Sequence, residues 1–154
     1  MKNIKIIAVG RMKTPHWQDA AAHYVKRLSH SLRLGEILVK DADPALPVAE
    51  RKIREGVLIL KQIRPGDTLI CLDEGGKNLH SRAFANFLSR LAASGKTPCF
   101  AVGGAYGLAP DVLHAAAHTL AFGPMTFPHE LARVILLEQL YRAACILASS
   151  GYHH

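Results

Sequence analysis

The chain has 154 residues, 49% of them hydrophobic and 20% charged, a length suited to one domain burying roughly two-thirds of its unfolded surface. That balance excludes a disordered or acidic solvating chain, and no apolar run reaches the ~18 residues of a membrane span. Nineteen Lys and Arg against twelve Asp and Glu leave a formal charge of +7, which favours a polyanionic partner over an acidic-surface one.

The elements follow in chain order. Asn3 to Val9 reads as a β-branched strand ending at Gly10. A helix is predicted over 16–32, with Trp17, Ala20, Ala21, Tyr24, Val25 and Leu28 at helical spacing after Pro15. Leu34 to Val39 reads as a second strand, and 41–47, with two prolines, as a loop. Val48 to Ile63 reads as a charged helix with Ile53, Val57, Leu60 and Ile63 on one apolar face. After the Pro65-Gly66 turn, 68–72 is a buried strand ending in the loop Asp73-Glu74-Gly75-Gly76-Lys77. A helix over 81–93 has Ser81 placed to act as N-cap. Then come a strand over 98–102, a short helix over 110–117, a short strand over 119–122 and a long helix over 128–149 that opens on Pro128.

Strands alternating with helices predict an α/β domain, mainly parallel, with helices on both faces of the sheet. A single domain over 1–154 is expected, because no linker or repeat divides the chain. Ligands in such sheets bind beyond the carboxyl ends of the strands. Three strand ends carry loops rich in glycine or proline: 72–76, 103–107 and 122–129. If those strands are neighbours, the loops meet at one site. Gly103-Gly104-Ala105-Tyr106-Gly107 lets a ligand approach backbone closely, although a tight strand-to-helix turn would use the same residues. The spacing matches neither a dinucleotide fingerprint nor a Walker loop.

The charge is uneven. Residues 1–77 carry fourteen basic and nine acidic side chains and suggest a docking surface; residues 78–154 are more apolar and hold six of the nine histidines. The helix from Pro128 is apolar on more than one face, which points to a second copy of the chain as partner, with Glu130, Arg133, Glu138 and Arg142 available to pair across the contact. His114 and His118 have i, i+4 spacing but no third ligand, so two solvated histidines are expected and no metal. Cys71, Cys99 and Cys145 show no CxxC or zinc spacing, and the N-terminal apolar run is too short for a secretory signal. A cytoplasmic protein is therefore expected, with Cys71 and Cys99 as core filler. Ser81 and Ser89 lack the glycine elbow of a hydrolase. At the C-terminus, Tyr152 can stack on a base, and His153 can move a proton near neutral pH.

Taken together, six blocks resemble one family. They are Val9-Gly10, Leu72-Asp73 with Gly76-Lys77, Gly103-Gly104-x-x-Gly107-Leu108, Met125-Thr126-Phe127-Pro128-His129, Arg133-Val134 with Glu138-Gln139-x-Tyr141-Arg142-Ala143, and Tyr152-His153. In this order they resemble the SPOUT methyltransferases, in the small bacterial branch acting on N3 of a pseudouridine in large-subunit (23S) ribosomal RNA. The resemblance runs along the whole chain and is loosest between 40 and 65.

That resemblance implies a deep C-terminal trefoil knot, a homodimer packed through the knotted region, S-adenosyl-L-methionine as cofactor and 23S rRNA in the ribosome as substrate. It implies cofactor contacts from Leu72, Gly103, Phe122, Gly123, Pro124, Met125, Thr126 and Phe127, with Gly104 adjacent. It gives Tyr106 no inherited function. For the chemistry, an imide N–H must lose its proton, so a base and an anion-stabilising cation are required. Arg142 suits the second role and His153 the first, with Tyr152 beside the uracil ring and His129 as the alternative base. Two other classes remain to be separated from this one: a non-catalytic RNA-binding module of the same fold, and a nucleotide-dependent oxidoreductase, which the missing fingerprint disfavours.

Overall fold

A computed structural model describes residues 3–149. Five strands, β1 (Asn3–Val9), β2 (Arg33–Val39), β3 (Asp67–Asn78), β4 (Thr97–Val102) and β5 (His118–Ala121), form one sheet in the order β2-β1-β4-β3-β5. Every pairing is parallel. The helices α1 (Pro15–Leu28), α2 (Val48–Leu60), α3 (Ser81–Ala93), α4 (Pro110–Ala115) and α5 (His129–Leu147) supply the crossovers that parallel strands need.

Period-two alternation divides the core. Ile4, Ile6 and Ala8 of β1, Ile70 of β3, and Phe100 and Val102 of β4 point to one face, under α1, α3 and α5. Ile7, Val9, Leu69, Cys71, Cys99 and Ala101 point to the other, under α2 and α4. Both faces of the central strands are thus apolar, which is why they read as continuous hydrophobic runs. Burial pushes the Cys71 and Cys99 thiols up to about 12, with Asp73 and Asp67 respectively adding to the shift. These thiols stay neutral and act as packing groups.

The structure revises several sequence boundaries. Helix α1 stops at Leu28; the chain then turns so that Leu32 enters the core separately. Strand β3 does not end at Leu72. It bulges over 73–76 and resumes beside β5, where Leu72 and Lys77 both register with Leu120. Ser81 is the first helical residue and His80 the N-cap; the Ser81 hydroxyl instead donates to Gln139 Oε1 of α5 at 3.1 Å. Pro128 is likewise the N-cap of α5. On α2 the inward residues are Glu55, Gly56 and Ile59, while Ile53 and Val57 are exposed. His114 closes α4 and His118 opens β5, so the two do not share a helix face.

Helix α5 packs against both α1 and α3 as well as the sheet. Its breadth of apolar residues is therefore used within one chain, and Leu140, which the sequence pattern offered as an outward leucine, is fully buried. Its charged residues also pair inside the chain. Arg133 reaches Glu36 of β2 at 2.6 Å, and Arg142 reaches Glu138 one turn earlier at 2.7 Å. No helix of the described residues is long and apolar enough to cross a membrane. Leu140→Ala is expected to lower unfolding free energy by about 2–5 kcal/mol through cavity formation. Urea denaturation measures this, and a loss below about 1 kcal/mol would contradict the buried position.

Candidate functional site

Because β4, β3 and β5 are consecutive in the sheet, the carboxyl ends of β4 and β5 flank the β3 bulge. The three loops predicted to meet do meet. They line one cavity of about 800 Å³, within the range of small-ligand sites. Leu72, Gly103, Gly104, Phe122, Gly123, Met125, Thr126 and Phe127 all line it, as does His129 at the start of α5. Pro124, also expected there, sits in the same loop but outside the lining.

The glycines answer to the loop itself. A Cβ on Gly103 would stand 2.5 Å from the carbonyl carbon of Gly107, so only glycine lets the loop fold back this tightly. Gly107 takes φ +76° and its N–H donates to the Gly104 carbonyl at 3.1 Å. Gly104 is wedged against β1 and α2, where a Cβ would come 3.2 Å from the Val9 side chain and 3.3 Å from Glu55 Oε2. The buried Glu55 carboxylate accepts from the Ala42 N–H at 3.0 Å, tying the β2–α2 loop beneath the glycines.

The other two loops are joined by a side-chain bond. The Thr126 hydroxyl donates to the Glu74 carboxylate. In the β3 bulge, Asp73 Oδ1 accepts from the Gly75 N–H at 2.9 Å. Asp73, Glu74, Tyr106 and Lys52 line the cavity beyond the residues anticipated from sequence. Asp73 and Glu74 lie in the β3 bulge and Tyr106 in the loop after β4, both segments whose glycines the sequence marks. Lys52 comes from α2, remote in sequence, and no local pattern marks it.

Polar anchors hold the first turns of α5 in place. Glu130 accepts from the Lys13 N–H at 2.5 Å, just ahead of α1. That hydrogen bond, with further ones from Thr14, holds its carboxyl below the ordinary 4.5 despite burial. Arg133, almost fully buried, donates to the Gly10 carbonyl at 3.2 Å. Arg142 stands apart from the cavity lining. It lies thirteen residues beyond His129 on α5, about 20 Å along the axis. Tyr152 and His153 lie outside the described residues. No cluster of three or more His, Cys, Asp or Glu suited to a metal occurs among the described residues.

Comparison with known proteins places this arrangement. Residues 1–153 match the family described as "Predicted SPOUT methyltransferase". A protein of Nitratidesulfovibrio vulgaris named ribosomal RNA large subunit methyltransferase H is 53% identical, over all of this chain and 99% of its own length. Proteins of the same name from Oleidesulfovibrio alaskensis and Lawsonia intracellularis are 48% and 47% identical, over 100% and 99% of this chain and 100% and 98% of their own lengths. A crystal structure of a methylase-family protein from Neisseria gonorrhoeae superposes with a TM-score of 0.52 at 15% identity, covering 91% of this chain and 82% of that one. The chain belongs to the SPOUT methyltransferase family.

Two outcomes follow from the geometry. Gly103→Ala is expected to destabilise by about 2 kcal/mol or more, since backbone must move. Gly107→Ala, which meets open space, should cost only about 1–2 kcal/mol for its left-handed conformation; thermal unfolding of both variants ranks them. The lowered Glu130 pKa means the unfolded chain binds more protons in acid. Its stabilising contribution is complete above the ordinary 4.5 and is lost as pH falls through the folded value. Glu130→Gln should flatten that acid limb of the stability profile, and an unchanged slope in urea melts would refute the linkage.

Proposed function

We propose that this protein transfers a methyl group from S-adenosylmethionine to N3 of a pseudouridine in 23S ribosomal RNA, acting as a homodimer on the assembled ribosome. The observation that carries the reading is the convergence of three loops on one cavity, in a chain about half identical to methyltransferases named for large-subunit ribosomal RNA. We extend the family's C-terminal knot, the single domain over 1–154 and a cytoplasmic location to this chain on the same ground.

The lining suits the cofactor. Leu72, Phe122, Met125 and Phe127 offer apolar surface for a purine, and the Gly103–Gly107 turn exposes backbone at close range. Asp73 and Glu74 offer negative charge to a cation. S-adenosylmethionine supplies a methyl group activated by a sulfonium. The chain must then orient the base and remove its N3 proton. His153 accepts that proton in this reading, and Tyr152 packs beside the uracil ring. Arg142 stays charged throughout the working pH range and stabilises the imide anion. His129, already at the cavity, is the alternative base.

The placement of Arg142 supports a dimeric site. About 20 Å of helix separates it from the cavity of its own chain, so its proposed role requires a second chain to bring it there. Val25 of α1 and Leu147 of α5, 39% and 38% exposed, leave apolar surface for such a contact. A non-catalytic RNA-binding module of the same fold would bind RNA and transfer nothing.

The experiment is transfer of labelled methyl to ribosomes and to naked ribosomal RNA, followed by mapping of the modified nucleotide. Arg142→Ala, His153→Ala and a chain ending at Gly151 should keep cofactor binding and dimerisation while transfer falls roughly 100-fold or more. Arg142→Ala should not unfold the protein, because an i, i+4 ion pair contributes only about 0.2–0.5 kcal/mol. Full transfer by the truncated chain would assign the proton to another base, and His129 would be examined next.

A further inference from the structure

Tyr106 stands at the tip of the glycine loop, lines the cavity and remains 52% exposed. One face of its ring is already taken. The Arg51 guanidinium lies over it, with Cζ 5.0 Å from the ring centroid. Arg51 Nε is buried without a hydrogen-bond partner, so the ring contact orients the guanidinium in place of a polar bond. Lys52, the next residue of α2, lines the same cavity. Neither Arg51 nor Lys52 forms an ion pair with a described residue, whereas their neighbour Arg54 is paired with Glu50. One unneutralised cation therefore backs an accessible aromatic ring, and a second lines the same cavity.

The ring is also held in position. The bridge between Gly104 and Gly107 closes the loop around it, and Gly103 is packed against the Gly107 backbone. A platform fixed in this way loses little side-chain entropy on binding. Flat aromatic rings and guanidinium planes are the surfaces on which unpaired bases stack, and adjacent lysines attract the connecting phosphates. An acidic peptide would use the charges but leave the exposed ring without a purpose.

We propose that Tyr106, backed by Arg51, is the stacking platform for an unpaired nucleobase of the RNA substrate, with Lys52 holding the adjoining phosphate. The inference rests on the RNA-methyltransferase reading and adds a substrate-recognition surface to it. The full-length protein serves for the test, with Tyr106→Ala, Tyr106→Phe and Arg51→Ala. Methyl transfer from labelled S-adenosylmethionine to assembled ribosomes gives kcat and KM. Calorimetry with S-adenosylhomocysteine gives cofactor-site affinity separately.

Tyr106→Ala should raise KM for ribosomes about ten-fold or more, the usual scale for a lost base stack, with S-adenosylhomocysteine affinity unchanged. Tyr106→Phe should restore the wild-type KM, because the ring and not the hydroxyl stacks. Arg51→Ala should raise KM less and flatten its dependence on salt. A wild-type KM in Tyr106→Ala overturns the proposal, as does a parallel loss of S-adenosylhomocysteine affinity, which would place the ring on the cofactor. Failure of Tyr106→Phe to rescue also overturns it. If the unaltered protein methylates no ribosomal RNA, the underlying reading fails, a result distinct from any of these.

Discussion

Strand β3 has β4 on one side and β5 on the other, all three parallel, and the candidate site depends on that pairing. Parallel strands end at the same edge, so the chain must leave β3, β4 and β5 within reach of one ligand. The β3 bulge turns this proximity into contact. A Cβ on Gly76 would stand 2.6 Å from the Leu120 backbone, so the returning half of β3 lies directly on β5. The cavity then has a wall from each strand end, and the Thr126–Glu74 hydrogen bond joins two of those walls.

The order of elements and the meeting of the loops were legible because both rest on local patterns. Alternating helix and strand periods imply a parallel sheet, and glycine clusters mark strand ends. What local pattern could not convey was competition for burial. Ile53 and Val57 have the spacing of a core face, yet both are exposed; the side of α2 that packs inward is that of Gly56, where a Cβ would come 3.0 Å from the Ala109 and Val112 side chains. The Ser81 hydroxyl looks like a cap but finds Gln139 across the helix interface. The 73–77 segment looks like a loop because it has two glycines, and those glycines are what allow the strand to bulge and continue. Lys52 and the stack of Arg51 on Tyr106 arise from tertiary contact between residues about fifty positions apart.

Helix α5 shows how an apolar element is given one orientation. Its buried leucines would tolerate rotation or sliding against α1 and α3, since hydrophobic contact is weakly directional. Glu130 and Arg133 remove that freedom. One accepts from backbone ahead of α1, and the other reaches the carbonyl at the end of β1 and the carboxylate of Glu36. Buried charges of this kind cost desolvation; Arg133 meets it through its two terminal guanidinium nitrogens, while its buried Nε has no hydrogen-bond partner among the described residues. The same three bonds hold the turns that carry His129 and Ala132, which line the cavity.

The two ends of α5 are therefore held differently. Its first turn is locked into the chain's own site, while Arg142, nearer the other end, is a quarter exposed on its side chain and held by Glu138 from the preceding turn. A rigid helix cannot bring both ends to one ligand, and its length is fixed at about 1.5 Å per residue. A catalytic cation at Arg142 thus requires a second copy whose α5 points its later turns at the first copy's cavity. In the symmetric pair proposed above each chain would keep its own cofactor pocket and lend a cation to its partner. Glu138 would then pre-orient the guanidinium, and losing that carboxylate should lower transfer without changing cofactor affinity.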